Sequence, residues 1–272
     1  MLIIRPFLTP MPSLSLIIPL FNRPLTLARI LRALDTQTLA ASRFETIFVD
    51  DSGPESYAIQ AAVLDAAPPK CRWSLLNTGL PRDVNGVSVA RNKAIRAAKG
   101  SIIVFMDDDC VPNPHLLEQH LMAHDADPNL AAVGNRSEDE KILSLAPPIP
   151  ILRDKCAREA AKSAKGELGA GSFVTANASA KTKHLHAAGL FDESFAKPGE
   201  YGYEDRDLGA RLLKAGAKFR FLQDAAVWIA PKESDPWAGK REAAQAAARA
   251  RYHDKHDGAV KKAVRKLFGK KK

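Results

Sequence analysis

Cysteine is scarce: Cys71, Cys110 and Cys156 are the only three in 272 residues, and they stand far apart. Scattered thiols exclude a disulfide framework and a cysteine-rich zinc cluster, and a reducing cytoplasm is therefore expected. Long apolar runs are missing too. No stretch approaches the roughly 20 uninterrupted apolar residues of a membrane-spanning helix. The opening segment, interrupted by Pro6, Pro10 and Pro12, lacks the layout of a signal peptide and reads as a lead-in over residues 1–13. Internal repeats are absent. Aromatics make up only 7%, yet 46% hydrophobic and 26% charged residues are ordinary globular values and exclude a disordered chain.

A net charge of +9 invites comparison with nucleic-acid binders, but its distribution argues otherwise. Residues 240–272 hold twelve Lys/Arg against Glu242, Asp254 and Asp257 and so carry the whole excess. The rest of the chain, with 28 basic and 28 acidic residues, is neutral. No nucleic-acid groove is expected, and the basic character belongs to a C-terminal segment rather than to a site in the body. That segment is helix-prone over 243–251, and Val260, Val264, Leu267 and Phe268 lie along its basic part. Two readings stand for it: peripheral contact with the anionic inner face of a cytoplasmic membrane, or a solvated tail.

The body alternates strand and helix signals. Leu14–Leu20 is an apolar run that delivers Phe21-Asn22-Arg23-Pro24, after which Leu27, Ile30, Leu31 and Leu34 fall on one helical face. A strand over 45–49 ends in Asp50-Asp51-Ser52-Gly53-Pro54, and a third strand is expected over 73–76. A helix over 87–98 closes at Gly100 and leads into the apolar run Ile102–Met106. A helix over 113–124 follows. Residues 135–168 read as a loop-rich insertion with helix near 155–165, either a solvated excursion or an acceptor-binding lid. Order returns over 171–180. Residues 201–208 open a helix ending at Gly216, and 219–228 is the last strand. Such alternation predicts an α/β fold with a mostly parallel central sheet flanked by helices, in which ligands bind beyond the carboxyl ends of the strands.

Asp107-Asp108-Asp109 sits directly after Ile102–Met106, where a buried strand leaves the core. Three adjacent carboxylates repel one another, and a divalent cation on oxygen ligands is a strong remedy. A solvated turn or helix cap ahead of Pro112 is the plainer alternative. The neighbouring segments favour the cation.

Four separated segments agree in order with one family. Leu16-Ile-Ile-Pro-Leu-Phe-Asn-Arg-Pro, Ile47-Phe-Val-Asp-Asp-Ser-Gly, the run from Gly86 through Arg91-Asn92 to Asp107-Asp108-Asp109, and Ala188-Gly-Leu-Phe-Asp-Glu with Tyr203-Glu-Asp-Arg-Asp-Leu together resemble a family 2 glycosyltransferase of the GT-A, Rossmann-like fold. The last segment is also similar to the Gly-Glu-Asp stretch of galactosyl- and N-acetylgalactosaminyltransferases. The resemblance implies one GT-A domain over 14–235, with a nucleotide-sugar half over 14–112 and an acceptor half over 113–235, followed by a basic helical tail over 236–272. It further implies a metal-dependent inverting transfer from a nucleotide-diphosphate sugar, UDP favoured, to a hydroxyl of a glycan or lipid-linked acceptor.

By this resemblance Asp109 and Asp107 hold Mn2+ or Mg2+, with Asp107 and Asp108 lying toward the ribose. Arg91 and Asn92 reach the nucleotide. Pro19, Phe21 and Arg23 wall the base and ribose. Asp50 or Asp51 accepts an imide N–H of the base, the sequence leaving the two equal. Asp205 serves as general base and Glu204 orients the acceptor. Two departures from the family pattern stand out. No His follows the last strand, leaving His184, His186, His253 and His256 as candidates for a further metal ligand, and Tyr203 replaces a glycine. A sugar-1-phosphate nucleotidyltransferase and a non-catalytic nucleotide-sugar-binding relative are the alternatives. The first lacks its Gly-rich loop after strand one, and intact Asp109 and Asp205 speak against the second.

Overall fold

The carboxyl ends of three parallel strands organise the molecule, a computed structural model that describes residues 11–231 and 239–258. Strand β1 (Leu14–Leu20) is buried at all seven positions, as a central parallel strand covered on both faces must be. It pairs in parallel with β2 (Phe44–Asp50) and β4 (Ile102–Met106), and β2 pairs with β3 (Arg72–Asn77). Helices α1 (Pro24–Leu34), α2 (Pro54–Ala66) and α3 (Val87–Ala97) make the crossovers. Pro24 and Pro54 occupy first-turn positions of α1 and α2, where a missing N–H costs nothing.

The second half is mixed. After β5 (Cys110–Pro112) and α4 (Leu116–Ala126) come β6 (Leu130–Ser137), α5 (Asp154–Ala164), β7 (Asn177–Lys181), α6 (Thr182–Ala187), α7 (Glu204–Lys214), β8 (Lys218–Ile229) and α8 (Arg241–His256). The eight strands order as β3-β2-β1-β4-β7-β6-β8-β5. Pairing is antiparallel at β4/β7, β7/β6 and β8/β5, and parallel at β6/β8. The α/β class and the mostly parallel sheet agree with the sequence reading.

Alternation along the strands splits the core into two layers. Leu16, Ile18 and Phe48 face α1, while Ile17, Ile47 and Phe105 pack with Ala90 and Ala94 of α3 and Leu208 and Leu212 of α7. Where 135–168 was expected to be loop, β6 runs through Ser137 and α5 occupies most of the helical stretch. Residues 1–10, 232–238 and 259–272 lie outside the described residues, and with them most of the lead-in and the basic run with Val260, Val264 and Leu267-Phe268. Among the described residues no helix is long and apolar enough to cross a membrane.

A buried polar chain crosses the layer between α4 and β7. The Asn177 amide donates through Nδ2 to Asn135 O and Ala225 O, which fixes its Oδ1 as acceptor from His120 Nε2 at 2.9 Å. Burial holds both imidazoles down, His120 to about 4 and His124 to about 3, which keeps them neutral. In the neutral state His120 Nδ1 accepts from the Ser179 hydroxyl, and Ser179 Oγ accepts from His124 Nε2, each at 2.8 Å. A folded-state value below the unfolded one means that the unfolded chain binds the extra proton, so this contribution to stability is lost as pH falls from about 6.5 toward 3. Carboxylates of the site below act in the opposite sense, so the informative quantity is a difference. The stability advantage of wild type over His124→Leu should shrink by about 1.4 kcal/mol per pH unit between pH 6 and 4 in urea titrations.

Candidate active site

Loops beyond β1, β2 and β4 meet the N-terminus of α7 around one cavity of about 550 Å³. It is lined by Pro19, Phe21, Arg23, Asp51, Arg91, the three carboxylates Asp107 to Asp109, Glu204 and Asp205, so residues nearly 190 positions apart share one space. Val84 and Pro198 form an antiparallel bridge that joins the loops after β3 and before α7 beside it.

The three aspartates after β4 are not equivalent. Asp108 is buried and turned back into the protein, accepting the Phe21 N–H at 2.6 Å and the Arg23 guanidinium. Burial pushes its carboxyl up to about 7 against the pull of Arg23. It fastens the loop after β1 to the triplet. Asp108 lines the cavity with both oxygens engaged by the protein itself, one by the Phe21 N–H and the other by Arg23. Asp107 keeps 38% of its side chain exposed while accepting from Arg91 Nη2 at 3.0 Å. Asp109 lines the cavity, and its backbone oxygen receives the Ala230 N–H at 2.8 Å, tying the triplet to the end of β8.

Arg91 joins the two halves. It projects from α3, fully covered, with Phe191 stacked against the guanidinium at 5.3 Å. Nη2 reaches Asp107, while Nη1 reaches Glu204 Oε1 at 3.1 Å and Asp205 Oδ1 at 3.3 Å. One cation thereby holds three carboxylates from two distant segments. Burial first, then the adjacent Asp205, raises Glu204 to about 7; burial likewise raises Asp205, against the pull of Arg91. Asp205 keeps 23% of its side chain exposed and Glu204 10%, so Asp205 is the more accessible of the pair.

The pair is delivered by a strained turn. Gly202 and Tyr203 have φ of +82° and +71°, and a left-handed tyrosine costs on the order of 1–2 kcal/mol. Helix α8 holds it in place. Arg249 Nε donates to Tyr203 Oη at 3.0 Å, Tyr252 lies 5.7 Å away ring to ring, and Arg251 grips Glu200 with two bonds of 2.6 and 3.1 Å.

Of the two acids after β2, Asp51 lines the cavity and Asp50 does not. Asp50 is fully buried and accepts from Ser52 N and Asn77 Nδ2 at 3.3 Å. Asp51 Oδ1 is buried with no hydrogen bond of full geometry, and burial raises the carboxyl to about 7 against the pull of Thr78 and the Gly86 N–H beside it. A Cβ on Gly86 would collide with that oxygen, so only glycine lets the start of α3 approach Asp51 so closely. Asn92 also stands apart from the cavity. It bonds Phe191 N and O at 2.9 Å and Glu193 at 2.8 Å, because consecutive helical residues point about 100° apart and Arg91 takes the inward direction. Asn92 braces the loop under Arg91 and does not line this cavity.

Other expectations shift as well. Lys240 and Arg241 line the cavity at the start of α8, with Arg241 over the Tyr201 ring at 5.3 Å, so the basic segment does not stand apart from the site. Sequence spacing gave no signal for Lys240, Arg241, Arg82 or Tyr201, which arrive only through the fold. Tyr203 supports the turn instead of lining the cavity. His184, His186, His253 and His256 do not line it either, and His256 bonds Asp207 at 2.7 Å.

Among the described residues no group of three or more His, Cys, Asp or Glu is gathered for a metal. The cavity instead offers Asp107 and Asp109 as oxygen donors, which suits a hard divalent ion that draws its remaining ligands from phosphate and water. Charge supports the fit: seven carboxylates face five Lys/Arg around the cavity, an excess that a diphosphate would worsen and a divalent cation would relieve.

The model of glycosyl transferase family 2 matches residues 15–162. An uncharacterized glycosyltransferase of Bacillus subtilis, YfnE, is 28% identical over 255 residues, covering 77% of this chain and 62% of that protein. Chondroitin synthase of Escherichia coli is 26% identical over 265 residues, covering 84% of this chain and 37% of the synthase. Among solved structures, the mannosyltransferase PcManGT from Pyrobaculum calidifontis, in complex with GDP-Man and Mn2+, superposes with a TM-score of 0.63 at 18% identity over 85% of this chain and 62% of its own. TarS residues 1–349 of S. aureus in complex with UDP gives 0.58 at 16% identity, over 81% and 61%. At such identities the structural likeness establishes the fold. The chain spans about three-fifths or less of the length of these relatives.

Proposed function

The chain belongs to glycosyl transferase family 2, and from that premise we propose a metal-dependent inverting transfer of a sugar from a nucleotide diphosphate, UDP favoured, to a hydroxyl of a glycan or lipid-linked acceptor. The observation that carries this reading is the Arg91 bridge, which joins Asp107 on one side of the cavity to Glu204 and Asp205 on the other. Donor and base are thereby held in one frame. Asp51, at the cavity wall, accepts the imide N–H of the base, and Pro19 and Phe21 flank it. Arg82, Lys240 and Arg241 meet the negative charge of the diphosphate.

Mn2+ or Mg2+ held by Asp109 and Asp107 would withdraw charge from the diphosphate oxygens as a Lewis acid. The chain supplies the rest. Asp205 takes the proton of the acceptor hydroxyl, whose oxygen attacks the anomeric carbon opposite the departing diphosphate, so configuration inverts. Glu204 orients the acceptor from the same helix turn. UDP and GDP-mannose both occur among the structural neighbours, so the base is a matter for assay.

A release assay across UDP-, dTDP- and GDP-sugars with Mn2+ or Mg2+ tests the reading. Turnover of one donor, abolished by chelation and by Asp109→Ala, supports it; absence of turnover across the panel overturns it. Arg241→Ala should raise the donor KM about tenfold with a smaller change in kcat, the loss of one charge-assisted contact. Saturation curves at low and high salt check this, because high salt should narrow the gap between variant and wild type. Residues 240–272 are proposed as a peripheral contact with an anionic membrane, readable by vesicle sedimentation.

A further inference from the structure

Asp205 is held by a residue with no place in the motifs. Thr175 lies in the loop between a short turn at Ala170–Ser172 and β7, and it is 1% exposed. Its N–H donates to Asp205 Oδ2 at 3.1 Å and its hydroxyl to Oδ1 at 2.8 Å. Oδ1 also accepts from Arg91, whereas Oδ2 has the Thr175 N–H as its one hydrogen bond among the described residues. Val174 lines the cavity while Thr175 does not, so Thr175 meets the carboxylate from behind the wall.

The approach is built into the packing of α7. A Cβ on Gly209 would lie 2.6 Å from Ala170 O and 3.0 Å from Phe173 Cβ, so glycine lets the helix that carries Asp205 rest directly on the segment leading to Thr175. Two donors on two oxygens of one carboxylate fix its plane as well as its position. A single donor leaves rotation about the last side-chain bond, a soft twofold torsion, largely free.

We propose that Thr175 is the positioning residue for the base, clamping Asp205 so that Oδ2 is the oxygen that receives the acceptor proton. The proposal rests on the reading of Asp205 as base. In the step, the acceptor O–H bond breaks with its proton passing to Oδ2, the acceptor oxygen bonds to the anomeric carbon, and the bond from that carbon to the diphosphate breaks with its electron pair leaving on the diphosphate. A clamp acts on the geometry of this proton transfer and not on donor affinity.

The test is steady-state release of nucleotide from the UDP-, dTDP- and GDP-sugar panel with Mn2+, water serving as acceptor, for wild type, Thr175→Val, Thr175→Ser and Asp205→Asn. Valine keeps the shape and removes the hydroxyl; serine keeps the hydroxyl. Thr175→Val should lower kcat about tenfold or more with donor KM within about twofold, and Thr175→Ser should recover most of it. A merely structural role would lower the melting temperature of both variants and leave kcat in place. If Asp205→Asn is inactive while Thr175→Val keeps wild-type kcat, the clamp is refuted and the base stands. If Asp205→Asn keeps full turnover, or wild type releases nucleotide from no donor, the underlying reading fails and the proposal with it.

Discussion

Arg91→Met should abolish turnover and cost about 3–5 kcal/mol of stability, the expected penalty for removing one partner of a buried ionic cluster. Arg91 is fully covered and serves Asp107, Glu204 and Asp205 at 3.0 to 3.3 Å, so its loss leaves three carboxylates facing one another without a cation. The deficit should depend on pH. Without Arg91, Glu204 and Asp205 hold their protons to still higher pH in the folded state than in the unfolded one, so folding becomes less favourable as pH rises and the unfolded chain ionises freely. The stability gap to wild type is therefore expected to be wider at pH 8 than at pH 5.5 in denaturant titrations. Arg91→Lys should not rescue turnover, because one ammonium cannot reproduce a planar fork that reaches two segments at once.

Asp205→Asn should reduce kcat by about 10²- to 10⁴-fold with little change in donor KM, the range expected on losing a general base. The amide is close in shape: its oxygen can keep Arg91 and the Thr175 hydroxyl, only the Thr175 N–H loses its acceptor, and the fold is retained. Glu204→Gln should cost less, since Glu204 is the more covered of the two and bears on acceptor orientation. The wild-type rate should fall on the acid side at a pH above the ordinary aspartate range, because burial raises the Asp205 carboxyl. Rate profiles of wild type from pH 5 to 8 check the position of that limb.

The parts of this site that were legible in sequence are those set by local rules. Apolar runs named β1, β2 and β4, and polar residues directly after them fell at the strand ends where a parallel sheet opens to ligand. What escaped was set by tertiary structure. Residues 54–66 form α2 although Gly53-Pro54 reads as a turn, since the same pair both ends a loop and opens a helix. Strand β6 was hidden because Asn135, Arg136 and Ser137 look solvated, yet Asn135 Nδ2 donates to Pro150 O and Gln223 O and Arg136 Nη2 pairs with Glu159 inside the protein. Spacing could not separate Asp50 from Asp51 or Arg91 from Asn92, as neighbours in a chain differ only in direction. Thr175 and Lys240 carry no motif at all; their positions follow from how α7 and α8 dock.

In the proposed function a donor half rests on Asp109 and an acceptor half on Asp205, with Arg91 between them. Calorimetric titration of UDP in the presence of Mn2+ into wild type, Asp109→Ala and Asp205→Asn separates the halves directly. On this assignment Asp205→Asn should bind UDP as wild type does, while Asp109→Ala should bind at least about tenfold more weakly and lose the dependence on Mn2+. Equal, Mn2+-dependent binding by Asp109→Ala and wild type would contradict it.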